Sequence, residues 1–364
     1  MYRLADLHKN VGIFKNATSK EYLFPIALGK KAKVSILALG DVGGNLLTGL
    51  VLLGGNEIES IGIFDINKNN AKRYEAEMNQ IAYPPILSNS SSDSDASSDS
   101  DSVAKLNVDF VTARRIPEVF VIDNEEELFD CDLFIFCASK GVPAVGENVS
   151  DIRMAQYEEN KKIVEYYAKL ASLKNFSGVF AVVSDPVDPL CKVAYLASLA
   201  SEVESGLAQR LKLGQIRGFG LGVMNGRALY CAKKEKRFAE YAVDGRAFGP
   251  HGQDLVLANS ISNYDDELSR ELTHIVATEN IRIREMGFKP FIAPAFSSGA
   301  LSILSMLRGE WHYSSNYIGD ESDGAFFGAL NRVLNGKIEI EDLHLPENLF
   351  LRIQYSYEIL RKLD

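Results

Sequence analysis

The stretch Lys33 to Asn45, "KVSILALGDVGGN", constrains the fold more than any other part of the chain. A short β-branched apolar run ends in a glycine-rich turn, and a helical pattern, "NLLTGLVLLGG", follows at once. A second strand, "SIGIFDIN", carries Asp65 at its end. Ala38, Gly40 and Gly43 occupy the three positions of a G-x-G-x-x-G fingerprint, with Val42 inside the turn. In such a turn the middle glycine lets the backbone approach a diphosphate, and the third lets the helix pack closely on the strand. The helix N-terminus favours the anion. Alanine is the smallest substitute for glycine in the first position, so its cost is expected to be small. A carboxylate at Asp65 accepts hydrogen bonds from ribose hydroxyls and repels a 2′-phosphate, which points to NAD rather than NADP. The alternative is a glycine turn that binds nothing, with Asp65 capping the next helix.

Beyond this unit, short β-branched runs alternate with helical stretches through "VDFVT", "VFVID", "DLFIFCAS" and "GVFAVVSDPVD". That alternation predicts βαβ units and a doubly wound parallel sheet of Rossmann type, covered on both faces. The second half is mixed, with a hairpin-like region over 236–250, a helix from about 263 to 286, a strand pair near 316–341 and a closing helix. The expected organisation is an N-terminal extension over 1–32, a Rossmann dinucleotide-binding domain over 33–186, and an α+β catalytic domain over 187–364. Residues 88–102, "SNSSSDSDASSDSDS", hold almost no apolar side chains and read as a disordered surface insertion.

Composition narrows the function classes. A net charge of −10 over 364 residues gives no basic footprint for nucleic acid. The four cysteines, Cys131, Cys137, Cys191 and Cys231, show no C-x-x-C spacing and so no zinc signature. No secretory signal pattern opens the chain, and its apolar runs are too short to span a bilayer. A cytoplasmic protein that binds neither membrane nor metal is expected.

Several further segments resemble the lactate/malate dehydrogenase family, over about residues 33 to 361. The glycine turn and Asp65 match its first part, and "DLFIFCASKGV" its loop over the substrate. "DIRMAQYEEN" resembles its spacing of an arginine, Arg153, seven residues before an asparagine, Asn160. "VVSDPVDPL" resembles its S-N-P-V-D strand end, "FGLGVMNGRALY" its G-L-G-x-x-L-D-x-x-R segment, and "FGPHGQD" its G-x-H-G-D loop.

The resemblance implies hydride transfer between NAD and a 2-hydroxy acid or related alcohol. His251 would be the proton carrier, a role suited to imidazole, and Arg153 would polarise the substrate carbonyl. The same histidine between two glycines, taken alone, is an ordinary turn residue. The carboxylate that orients the histidine falls at or next to Asn225, which brings no charge. The substrate-carboxylate arginine belongs at Ala228, and Arg227 is one residue short, a rotation of about 100° on a helix. Asp185 replaces the asparagine that touches the nicotinamide ribose, and a carboxylate there is unfavourable unless protonated or paired. Ser297 takes the place of the small hydroxyl residue facing the substrate. The loop lacks the second arginine that selects a dicarboxylate, so malate is not supported. Homodimers or homotetramers are implied by the resemblance. A non-catalytic NAD-binding protein that keeps the fold is the second reading. NAD-dependent glycoside hydrolysis is a third, but it lacks a convincing metal-binding Cys and His pair.

Overall fold

The computed structural model describes residues 2–8, 20–84, 115–140 and 152–363. Strand β1 (Ala32–Leu37), helix α1 (Asp41–Leu53) and strand β2 (Ile58–Phe64) form the first βαβ unit. Helix α2 (Lys68–Met78), β3 (Glu118–Val121), β4 (Leu133–Phe136), α3 (Ile152–Leu173), β5 (Val179–Val182), α4 (Val187–Ser205) and β6 (Ile216–Gly218) follow. These six strands run parallel in the order β3-β2-β1-β4-β5-β6. The order reverses between β1 and β4, so a crevice opens beyond the carboxyl ends of those two strands. Every residue of β4 and β5 is buried, which explains their unbroken apolar sequence.

The chain then builds α5 (Leu221–Lys234), the two short strands β7 (Arg246–Phe248) and β8 (Val256–Ala258), α6 (Asp266–Glu285) and α7 (Ser302–Arg308). It returns as β9 (His312–Gly319), β10 (Gly324–Leu334) and β11 (Lys337–Ile340), and α8 (Glu347–Lys362) closes it. β9 pairs antiparallel with β6, and β10 and β11 add to it. Among the described residues this makes one nine-stranded sheet that runs across the expected 186/187 boundary. A smaller second core forms off the sheet, where Leu221 and Met224 of α5 meet Leu257 of β8 and Leu272 and Val276 of α6.

The hairpin expected over 236–250 pairs further along: β7 joins β8, so the connection between them carries His251. The described residues of the expected N-terminal extension, 2–8 and 20–32, pack against the rest of the chain. Leu4, Leu7, Tyr22, Phe24 and Ile26 enter the main core. Tyr2 stacks on Phe350 of α8 with ring centroids 4.5 Å apart, and single backbone bridges join Tyr2 to Leu345 and Leu23 to Lys337. The strand expected at "VDFVT" and the Ser/Asp run of 88–102 lie outside the described residues.

Candidate active site

The crevice between β1 and β4 widens into a cavity of about 880 Å³. Ala38, Gly40 and Val42 of the glycine turn line it. A Cβ on Gly40 would meet nothing within 4 Å, so the backbone is open to close approach there. A Cβ on Gly43 would lie 2.0 Å from the Ala38 carbonyl oxygen, so only glycine lets α1 sit this close to β1. Ala38 has φ +72°, the left-handed region, which strains an alanine by about 1–2 kcal/mol. The substitution is therefore costlier than its size suggests.

Asp65 ties the end of β2 to that turn. Its Oδ2 accepts a hydrogen bond from Leu39 N at 2.8 Å, and its Oδ1 accepts from Asn67 N at 2.8 Å. The cap of α2 is Asn67, whose side chain accepts from Asn69 N and Asn70 N.

His251 reaches the cavity from the β7–β8 connection. Gly249 before it has φ +83°, and a Cβ there would lie 2.7 Å from Ser356 Oγ. The imidazole packs on Gly220, where a Cβ would sit 2.3 Å from Nδ1. Its Nε2 lies 2.6 Å from Asp185 Oδ1. The histidine side chain is 16% exposed and the carboxylate 54%, so the pair forms a boundary between protein interior and cavity. Sequence reasoning required a partner for a carboxylate at 185, and the structure provides His251.

Two neighbours hold this pair. Asn160, buried in α3, donates to the Asp185 carbonyl at 2.7 Å and accepts from Lys140 N at 2.8 Å. Asp188, in the first turn of α4, is buried and also lines the cavity. Burial pushes its carboxyl up to about 6, offset in part by a hydrogen bond from the Ser315 hydroxyl and by the charge of His251.

The other candidate positions fall differently. Asn225 Oδ1 accepts from Tyr241 Oη at 3.0 Å, and Asn225 does not line the cavity. The carboxylate beside His251 thus comes from the end of β5 and not from α5. Arg227 does line the cavity, with Nη1 3.3 Å from the Val276 carbonyl, whereas Ala228 is fully buried in the second core. Ser297 gives its carbonyl to Ser302 Oγ at 2.8 Å. The next residue, Ser298, lines the cavity, and its hydroxyl donates to Gly220 O and accepts from Val223 N, which fixes the start of α5. Arg153 lies in the first turn of α3, and its side chain is outside the described residues.

No protein-family model matches the sequence, and no curated protein does. Solved structures do match. A lactate dehydrogenase from a Medee basin deep-sea metagenome library superposes with a TM-score of 0.64 at 18% identity, covering 92% of this chain and 98% of that one. The fold is that of the lactate and malate dehydrogenases. Cryptosporidium parvum malate dehydrogenase gives a TM-score of 0.64 at 16% identity, over 92% of this chain and 98% of its own. The minor L-lactate dehydrogenase of Enterococcus mundtii gives 0.63 at 19%, over 92% and 97%. This chain is thus a divergent example of the lactate/malate dehydrogenase fold.

Sequence reasoning missed part of the cavity wall. Ala277, Asn280, Ile281 and Arg284 of α6 line it, together with Lys289 just beyond that helix. Their spacing of i, i+3, i+4 and i+7 is the stripe of one helix face. Polar and charged residues inside such a stripe are the signal that was available. A dinucleotide fits the opposite wall: Gly40 leaves backbone open, Gly43 is sterically required, and Asp65 anchors the turn. Asp41, the first residue of α1, is the poorest match, since its carboxylate stands where a diphosphate would approach.

Proposed function

We propose that this protein is an NAD-dependent oxidoreductase that moves hydride between the cofactor and a 2-hydroxy acid or related alcohol, with malate not the favoured substrate. The observation that carries this reading is the pairing of His251 with Asp185 at 2.6 Å inside the cavity that also holds the glycine turn. The glycine turn of Ala38, Gly40, Val42 and Gly43 would hold the dinucleotide, and Asp65 would keep that turn in place. When bound, the nicotinamide supplies the hydride acceptor.

In this reading His251 takes the substrate hydroxyl proton and returns it in the reverse direction. Its Nδ1 edge is turned to Gly220, so the hydroxyl reaches the ring at Nε2, and Asp185 Oδ1 gives up that position or shares it as substrate enters. The Asp185 carboxylate, displaced from Nε2 but still beside the ring, then stabilises the imidazolium through its charge. Arg227 supplies a charge for the substrate carboxylate from α5, and Arg153 completes the site from the first turn of α3. Cytoplasmic location and homo-oligomeric assembly belong to the same proposal.

Steady NADH oxidation with a panel of 2-oxo acids, abolished in His251→Ala, is the expected result. A second reading, an NAD-binding protein without catalysis, draws on Asn225 being engaged with Tyr241. Tight NADH binding with no turnover on any 2-oxo acid would favour it.

A further inference from the structure

Asp41 opens α1 directly after Gly40, and its carboxylate faces the cavity. An incoming diphosphate would meet this charge at the helix end that otherwise attracts it. The structure supplies a counter-charge from the far side of the cavity: Lys289 Nζ lies 3.4 Å from Asp41 Oδ2. Both side chains are about half exposed, and a pair this exposed contributes little to stability. Its value lies in its position, because it puts an ammonium beside the glycine turn.

Arg284, in the last turn of α6, lines the same cavity. The other arginines of that helix facing solvent are paired, Arg270 with Asp266 and Arg282 with Glu279. Among the described residues Arg284 has no ion-pair partner. A cation in the last turn suits the helix dipole, and Arg282 already meets that preference on the outer face. Arg284 instead presents its charge to the cavity, on the segment that leads to Lys289.

We propose that Lys289 and Arg284 form a cationic clamp on the diphosphate of the dinucleotide, with Asp41 holding Lys289 until the ligand takes it over. The proposal rests on the dinucleotide reading above. It assigns to the second half of the chain a part of cofactor binding that the glycine turn does not supply. Lys289 exchanges one anionic partner for another, which leaves Asp41 beside the bound anion, while Arg284 gains the partner it lacks among the described residues.

Calorimetric titration of the full chain with NADH, ADP and adenosine tests it without requiring turnover. Lys289→Gln and Arg284→Gln are each expected to weaken NADH and ADP by about fivefold to tenfold, since each removes one screened charge contact. Adenosine affinity should not change, and Lys289→Arg should keep NADH binding. Asp41→Asn should tighten NADH, because it removes the repulsion and frees Lys289. Equal affinity of NADH in the wild type and both Gln variants overturns the clamp while leaving the dinucleotide reading intact. Loss of adenosine binding in the same proportion also overturns it, as a general structural effect. If Arg284→Gln weakens only an added dianionic 2-oxo acid, the anion belongs to the substrate and Arg284 leaves the clamp. A wild type that binds neither NADH nor ADP overturns the reading and the clamp together.

Discussion

The Asp185 carboxylate stands 2.6 Å from His251 Nε2, joining the end of β5 to the β7–β8 connection. Asp185→Asn keeps the shape and removes the charge that would stabilise imidazolium. It is expected to lower kcat/KM by about 10-fold to 10³-fold, since an opposite charge beside a titrating group favours its charged form by about 1–3 pKa units. Asn225→Ala should change it far less, because Asn225 bonds to Tyr241. Steady-state kinetics of the two variants with one 2-oxo acid reads the contrast. A larger loss in Asn225→Ala would return the orienting role to α5.

The glycine turn makes two opposite predictions. Ala38→Gly relieves a left-handed alanine at φ +72° and should raise stability by about 0.5 kcal/mol, after the extra freedom of the unfolded glycine is counted. Gly43→Ala drives a Cβ to 2.0 Å from the Ala38 carbonyl and should cost about 2–3 kcal/mol by pushing α1 off β1. Urea denaturation midpoints give both signs, and NADH affinity should fall only in Gly43→Ala.

Asp188 predicts a pH effect. Burial raises its carboxyl from 3.8 to about 6, so the folded chain holds this proton more tightly than the unfolded one. Its contribution is fully present below about pH 4 and is lost as pH rises through about 6, a change of about 3 kcal/mol. Asp188→Asn removes that dependence. Relative to wild type, it should gain stability between about pH 4 and pH 7.5 by that order. A difference that stays constant with pH would contradict the buried carboxyl.

Arg217 in β6 is fully buried, and its Nε and Nη1 have no hydrogen-bond partner among the described residues. Its Nη2 donates to Ser314 Oγ at 2.9 Å and to Asn331 Oδ1, with His312 beside it. Burial lowers the guanidinium to about 9, and burial together with Arg217 lowers the His312 imidazole to about 3. A buried charge with no carboxylate partner among the described residues is poorly compensated, so Arg217→Met should be neutral or stabilising by about 1 kcal/mol. A loss of about 3 kcal/mol or more in thermal or urea unfolding would show that the cation is needed.

Much of the fold was legible because local pattern and tertiary environment agree. The apolar runs of β1, β4 and β5 follow from burial on both faces, and Gly43 from the close approach of α1. The site was legible in part. His251 between glycines pointed to a presented imidazole, and Asp185 was marked as a carboxylate needing a partner. What the sequence did not reveal was that each met the other's requirement, since the two lie on separate elements. The core role of Leu4, Leu7, Tyr22 and Phe24 was not legible, because they are scattered among polar neighbours and become core only against the sheet and its closing helix.

The sequence alone determined the βαβ order, the glycine turn and the aspartate that ends β2, since these depend on periodicity and on backbone conformations that few residues accept. Tertiary structure alone decided which carboxylate faces His251, that Arg227 rather than Ala228 reaches the cavity, and that Lys289 stands beside Asp41. Such relations depend on distances across separately folded elements, and a distance of that kind is fixed by packing, which no local pattern records.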